Sequence, residues 1–172
     1  MEFTASLDSS AKVTTTFVCV LFLGIAIWNV RSMMRAKGDS WNTIIRVFIF
    51  AVLILSVVVS YRYGTTGYET KGKTLVIKKH NGPLTLNYLQ ISDVRKVGAA
   101  EMTDISRTFG VGGLFGYSGR YHNTTIGDMT FYATQQQNWV LLHTDKNEAI
   151  ILTPDNPDKF VIEIKSIITP NN

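Results

Sequence analysis

The stretch "RTFGVGGLFGYSGRYHN", residues 107–123, sets five glycines among four aromatic rings. Such a composition suits a phosphate cradle, a loop that touches a membrane or partner, or a turn that needs glycine. A dinucleotide fingerprint requires G-x-G-x-x-G opening a helix, yet Phe115 stands where the third glycine should be and strand-like sequence follows. The lysine and hydroxyl of a P-loop are also missing, so nothing here would meet a phosphate at a helix start. Two readings remain. In one, the glycines supply positive φ at turns and bulges while the aromatics pack beneath. In the other, Leu114, Phe115 and Tyr117 are exposed and contact a partner or the membrane interface.

Other residue types capable of chemistry are scattered. His80, His122 and His143 fall in three separate segments with no H-E-x-x-H spacing, and G-x-S-x-G is absent. Cys19 is the only cysteine and sits in an apolar run, which leaves no disulfide framework and no thiolate metal site. Neither a cofactor, a metal nor a catalytic group is expected. Charge is more informative. Residues 62–96 carry a net +5 and residues 97–172 a net −3, although the whole chain is only +4. Lys73, Lys78, Lys79, Arg95 and Lys96 are therefore candidate contacts for anionic lipid, since each basic residue near an anionic surface contributes about 1 kcal/mol. A solvated basic face is the alternative. Nucleic acid is not expected, because no aromatic stacking platform accompanies these cations.

The elements that must position these residues differ sharply along the chain. Residues 13–30, "VTTTFVCVLFLGIAIWNV", hold no charge, and the uncharged residues 47–61 extend back to Ile44 past a single Arg46. At 1.5 Å per residue, eighteen helical residues span about 27 Å, close to the hydrocarbon thickness of a bilayer. Two membrane spans, 13–30 and 44–61, are expected, with Trp28, Trp41, Tyr61 and Tyr63 as interface anchors and residues 1–12 as a tail. Arg31, Arg35, Lys37 and Arg46 would hold the connector in the cytoplasm, whereas Lys12 and the basic residues after the second span argue the reverse. Charge leaves the sidedness open.

Beyond the "GTTG" of residues 64–67 the apolar period falls to two. "KTLVIKK", "PLTLNY", "DVRKV", "DMTFYAT", "NWVLLHT" and "EAIILT" each read as a short strand, and a seventh is placed around residues 101–108. "HNGP" is a hairpin signal, and the short polar connections "QQQN" and "DKN" imply antiparallel neighbours. In "DNPDKFVIEIKSII" a capping Asp155 or Asn156 precedes Pro157, and Phe160, Val161, Ile164, Ile167 and Ile168 share a helical face. Pattern alone allows a bent sheet, a partly open barrel or a sandwich, closed by one helix.

The "LVIKK…NGPLTLNYLQISDVRKV" opening, the glycine-aromatic block, "FYATQQQNWVLLHT" and "ILTPDNPDKFVIEI" resemble the bacterial pleckstrin-homology (PH)-like domain family. The resemblance implies an antiparallel seven-stranded bent barrel capped by a C-terminal helix over residues 68–172, behind a two-helix transmembrane hairpin. It also implies a non-enzymatic module in the bacterial inner membrane, with the domain on the cytoplasmic side. In eukaryotic PH domains basic residues near the first hairpin bind phosphoinositides; Lys73, Lys78 and Lys79 lie in a broadly similar position, but the full basic motif is not matched. The expected function is protein interaction or scaffolding at the membrane, by a sheet edge or the glycine-aromatic block, with anionic-lipid binding as the alternative. An enzyme would need a deep pocket with converging titratable groups.

Overall fold

The computed structural model describes residues 1–35 and 40–169. Lys37 and Asp39 of the connector lie outside the described residues.

The chain starts with a short strand, β1 (Glu2–Thr4), and then enters two long helices, α1 (Ser9–Arg35) and α2 (Ser40–Tyr63). Both exceed the expected spans at each end. Their apolar windows have mean hydropathies of 2.0 and 2.6, and 0 % and 6 % of those windows are buried. A core helix of a soluble domain hides one face, whereas these are apolar and exposed all round. They are long and apolar enough to cross a membrane. Arg46 donates to Ser32 Oγ at 2.6 Å, so this guanidinium is met by a hydroxyl of the neighbouring helix.

After α2 the chain turns at Gly64 straight into β2 (Thr65–Lys71), followed by β3 (Thr74–Lys79), β4 (Leu84–Asn87) and, past a 3-10 turn, β5 (Ile91–Lys96). Then come β6 (Ser106–Gly112), β7 (Tyr117–Asn123), β8 (Gly127–Ala133), β9 (Val140–Thr144), β10 (Ala149–Leu152) and α3 (Pro157–Ile168). The strands form a four-stranded sheet, β1-β2-β3-β4, and a six-stranded sheet, β5-β9-β10-β8-β7-β6. The closed seven-stranded barrel implied by the resemblance is thus corrected to two open sheets. The added strands are β1, β2 over the supposed linker, and β7, while the seventh strand expected around residues 101–108 lies further on, at Ser106–Gly112 (β6). A second departure is that β8 and β9 are not neighbours: β10 inserts between them, parallel to β8 and antiparallel to β9.

The long sheet is covered on opposite faces at its two ends. One face of β9 and β10 presents Val140, Leu142, Ile150 and Leu152 to Tyr68, Leu75 and Ile77 of the short sheet and to Phe160 and Ile164 of α3. The other face presents Tyr117, Tyr121, Met129, Phe131 and Leu141 to Val97 and Met102 of the β5–β6 connection and to Ala11 at the start of α1. α3 is capped as its sequence suggests, with Lys159 N–H donating to Asn156 Oδ1 at 3.0 Å and Pro157 in the first turn.

Residues 1–12, expected as a tail, are built into this core. β1 pairs with β2 in the register Glu2↔Glu69, Phe3↔Tyr68 and Thr4↔Gly67. The hairpin of two apolar helices is therefore an insertion between two adjacent strands of one sheet. Asp8 then joins α1 to the domain: one carboxylate oxygen accepts from Ala11 N at 2.6 Å and the other from Gln136 N at 2.9 Å.

A second carboxylate fixes the same segment. Ser6 donates to Asp155 through its amide and its hydroxyl, both at 2.9 Å. Partial burial pushes the Asp155 carboxyl up, but hydrogen bonds from Ser6 and Thr4 outweigh this and hold it below its ordinary value. A depressed folded pKa means this contribution is present above the unfolded value, about 3.9, and is lost as pH falls through the lower folded value. Acid titration followed at the Ser6 amide resonance should show the segment releasing in that window. In Asp155→Asn the pH-dependent step should vanish; a step that persists would place the linkage elsewhere.

Candidate functional site

The glycine-aromatic block is a β-hairpin, β6–β7. Glycine makes it possible at one cross-strand pair. Gly110 and Gly119 oppose each other with φ of +115° and +130°. A Cβ on Gly119 would lie 2.3 Å from Phe109 O, and one on Gly110 2.2 Å from Ser118 O. No other residue type tolerates both the dihedral and the approach.

The tip of this hairpin holds the base of the two helices. Phe115 N–H donates to Thr15 Oγ1 of α1 at 3.0 Å, and the Phe115 ring meets Tyr61 of α2 edge-on at 5.4 Å. Tyr61 in turn stacks on His80, in the β3–β4 turn, at 4.1 Å. Leu114 and Phe115 are half-buried at this junction and Tyr117 is buried in the core. Phe115 thus joins both helices to the domain, and Tyr117 packs in the cluster that includes Ala11 of α1. The exposed aromatic of the block is Phe109, at 76 %. It stands among the aromatics expected to pack beneath the glycines, and no feature of the sequence marks its outward aim.

Phe109 belongs to β6, the outer strand of the six-stranded sheet, where every residue but Val111 is exposed. Between this strand's face and α2 runs a groove of about 570 Å³ lined by Val59, Tyr63, Lys79, Phe109, Val111 and Tyr132, among others. Lys79 Nζ lies 5.3 Å above the Tyr132 ring. On the opposite face of the sheet, a cavity of about 440 Å³ is lined by Met102, Arg107, Tyr117, Tyr121, Phe131 and Trp139. Neither has the converging acids, bases and nucleophiles of a hydrolytic or transfer centre.

With this arrangement in place, the sequence matches the family model described as Bacterial PH domain over residues 66–168. The chain belongs to the bacterial PH domain family. No curated protein and no solved structure matches it. The matched PH region starts within β2, so β1 and the two apolar helices lie outside it.

In this PH-like domain the five basic candidates do not converge. Lys78 bridges Glu2 at 2.6 Å and Glu69 at 3.1 Å. Its hydrogen bonds to those carboxylates raise its pKa, while the Lys78 partner lowers that of Glu69. Arg95 forms a two-pronged pair with Glu101 at 3.0 and 2.7 Å, and Lys96 binds Asp158 at 2.8 Å. Lys73 lies in the β2–β3 turn, and the length of β2 carries that turn about 20 Å from the end of α2 at ~3.3 Å per residue. Proximity to the apolar helices in sequence is thus not proximity in space. Lys79, which makes no ion pair among the described residues, is the member that returns to the helix base at the end of β3. The basic residue that sequence order concealed is Arg120, on β7 along the same groove.

The histidines also stay apart. His80 stacks on Tyr61, His122 Nδ1 meets Asp128 Oδ1 at 2.7 Å on the surface, and His143 lies in β9. Among the described residues no group of three His, Cys, Asp or Glu side chains could hold a metal ion.

Proposed function

We propose that the protein is a membrane-anchored, non-enzymatic PH module that takes a protein partner by strand addition at β6. The domain faces the cytoplasm of a bacterial cell, the side the family resemblance favours. The observation that carries this reading is the uncovered outer strand Ser106–Gly112 in a six-stranded sheet. The competing edges are less accessible: β1 spans three residues and β4 four, while β5 packs against α3. As the terminal strand β6 has a ladder partner on one side only, and extended peptides bind such edges through main-chain hydrogen bonds with side-chain pockets adding selectivity. The register shift between Arg107 and Phe109 also serves selectivity, because a bulged edge resists pairing with copies of itself. Phe109 would supply an apolar anchor next to that ladder.

A photo-crosslinking amino acid placed at Phe109 in the full chain, in native membranes, tests this directly. One adduct of defined mass should form there and be absent from a control placement at Leu89, which is 82 % exposed. Thr108→Pro, which inserts a ring into the edge, should abolish it. Equal labelling at both placements, or an adduct indifferent to Thr108→Pro, would refute strand addition at β6.

A further inference from the structure

We infer that the groove between α2 and the face of β6–β8 holds the phosphate of an anionic phospholipid from the protein's own bilayer. This rests on reading α1 and α2 as membrane spans. Its occupant is set by where the groove begins and ends. Val59 lies one helical turn inside Tyr63, about 6 Å along the axis of α2, within the apolar window of that helix. On the domain side the groove is lined by Lys79 and Arg120. An occupant that fills this length must be apolar at one end and polar at the other. A water-soluble phosphopeptide would leave the Val59 end empty.

Charge selects the sign of the polar end. Neither Lys79 nor Arg120 makes an ion pair among the described residues, whereas Lys78, Arg95 and Lys96 are all neutralised by carboxylates. Two acids share the neighbouring cavity with Arg120: Asp128 pairs with His122, and Glu148, close enough to act on Tyr132, forms no ion pair with Arg120. Lys79 is oriented by the Tyr132 ring beneath it, leaving the donors of its ammonium directed away from the ring. Ser118 and Thr130 also line the groove and add hydroxyl groups to the polar end. Arg120 supplies a planar fork suited to phosphate oxygens. Phe109, exposed at the mouth, and Tyr63 sit where aromatic rings favour the bilayer interface. The lipid would lie on the face of the sheet, so the β6 edge remains available to a partner.

The experiment uses the full chain in nanodiscs made of equal parts phosphatidylglycerol and phosphatidylcholine, with retained lipid counted by native mass spectrometry after release. Phosphatidylglycerol should be retained in preference. Lys79→Gln and Arg120→Gln should each reduce that retention about fivefold, and Lys79→Arg should restore most of it. Lys73→Gln, in the distant turn, should have no effect. Retention that survives the double substitution, or falls equally in Lys73→Gln, would overturn the site. Displacement by millimolar glycerol phosphate would instead assign it to a soluble phosphate and overturn the lipid. Failure of the chain to enter nanodiscs would refute the spanning helices, an outcome distinct from entry without lipid preference.

Discussion

Phe160→Ala is expected to destabilise the domain by about 3–5 kcal/mol, the usual range for emptying a buried phenylalanine site. Phe160 is 0 % exposed and sits at the junction of three elements. Its ring meets Phe3 of β1 edge-on at 5.0 Å and Tyr68 of β2 at 5.7 Å. Tyr68 is itself fully buried, its hydroxyl donating to Tyr132 O at 2.6 Å and accepting from Thr153 N at 2.9 Å. Burial pushes the Tyr68 phenol strongly upward, so it stays neutral and keeps both bonds. The cavity left by alanine would therefore loosen α3, the short sheet and the N-terminal strand together. Denaturant unfolding should show the loss, and amide exchange across Glu2–Thr4 should accelerate with it. A change below about 1 kcal/mol would mean that α3 is not a structural part of the core.

Gly119→Ala should be nearly as damaging, although it adds one methyl group on a surface hairpin. The φ of +130° alone costs on the order of 1–3 kcal/mol for a residue with a Cβ. The contact with Phe109 O at 2.3 Å adds to this, because a backbone atom cannot move aside as a side chain can. Relief requires β6 and β7 to separate, which displaces the edge proposed for the partner. Loss of both stability and partner crosslinking is the expected result. Gly24→Ala, with nothing within 4 Å, should show neither loss. Wild-type behaviour of Gly119→Ala would mean that the close pairing of Gly110 and Gly119 is not maintained in solution.

Elements carried by local chemistry were legible in the sequence. The two uncharged runs marked α1 and α2, the "HNGP" turn joined β3 to β4, and Asn156-Pro157 opened α3. What escaped depended on partners far along the chain. β1 is three residues long, too short for a period, and its partner β2 follows two helices later. The placement of β10 between β8 and β9 is likewise non-local, because the connection after β8 steps over a strand that has not yet been made. The glycine-aromatic block gave mixed signals. Its glycines implied turns, but two of them form a cross-strand pair whose strandedness neither residue announces alone. For the candidate site, net charge by segment identified basic residues without their counterions. Glu2, which engages Lys78, stands 76 positions away, and Arg120 stands in a segment whose overall charge is negative. Lys79 and Arg120 become neighbours of one groove only when β3 and β7 are folded.

Pairing of β6 with an incoming strand is read out by amide exchange over Ser106–Gly112. The full chain in nanodiscs would be compared alone and saturated with the partner recovered by crosslinking at Phe109. With the partner bound, β6 amides should slow by at least tenfold while those of β4, an edge of the other sheet, stay unchanged. Unaltered exchange in β6 with the partner bound would contradict it.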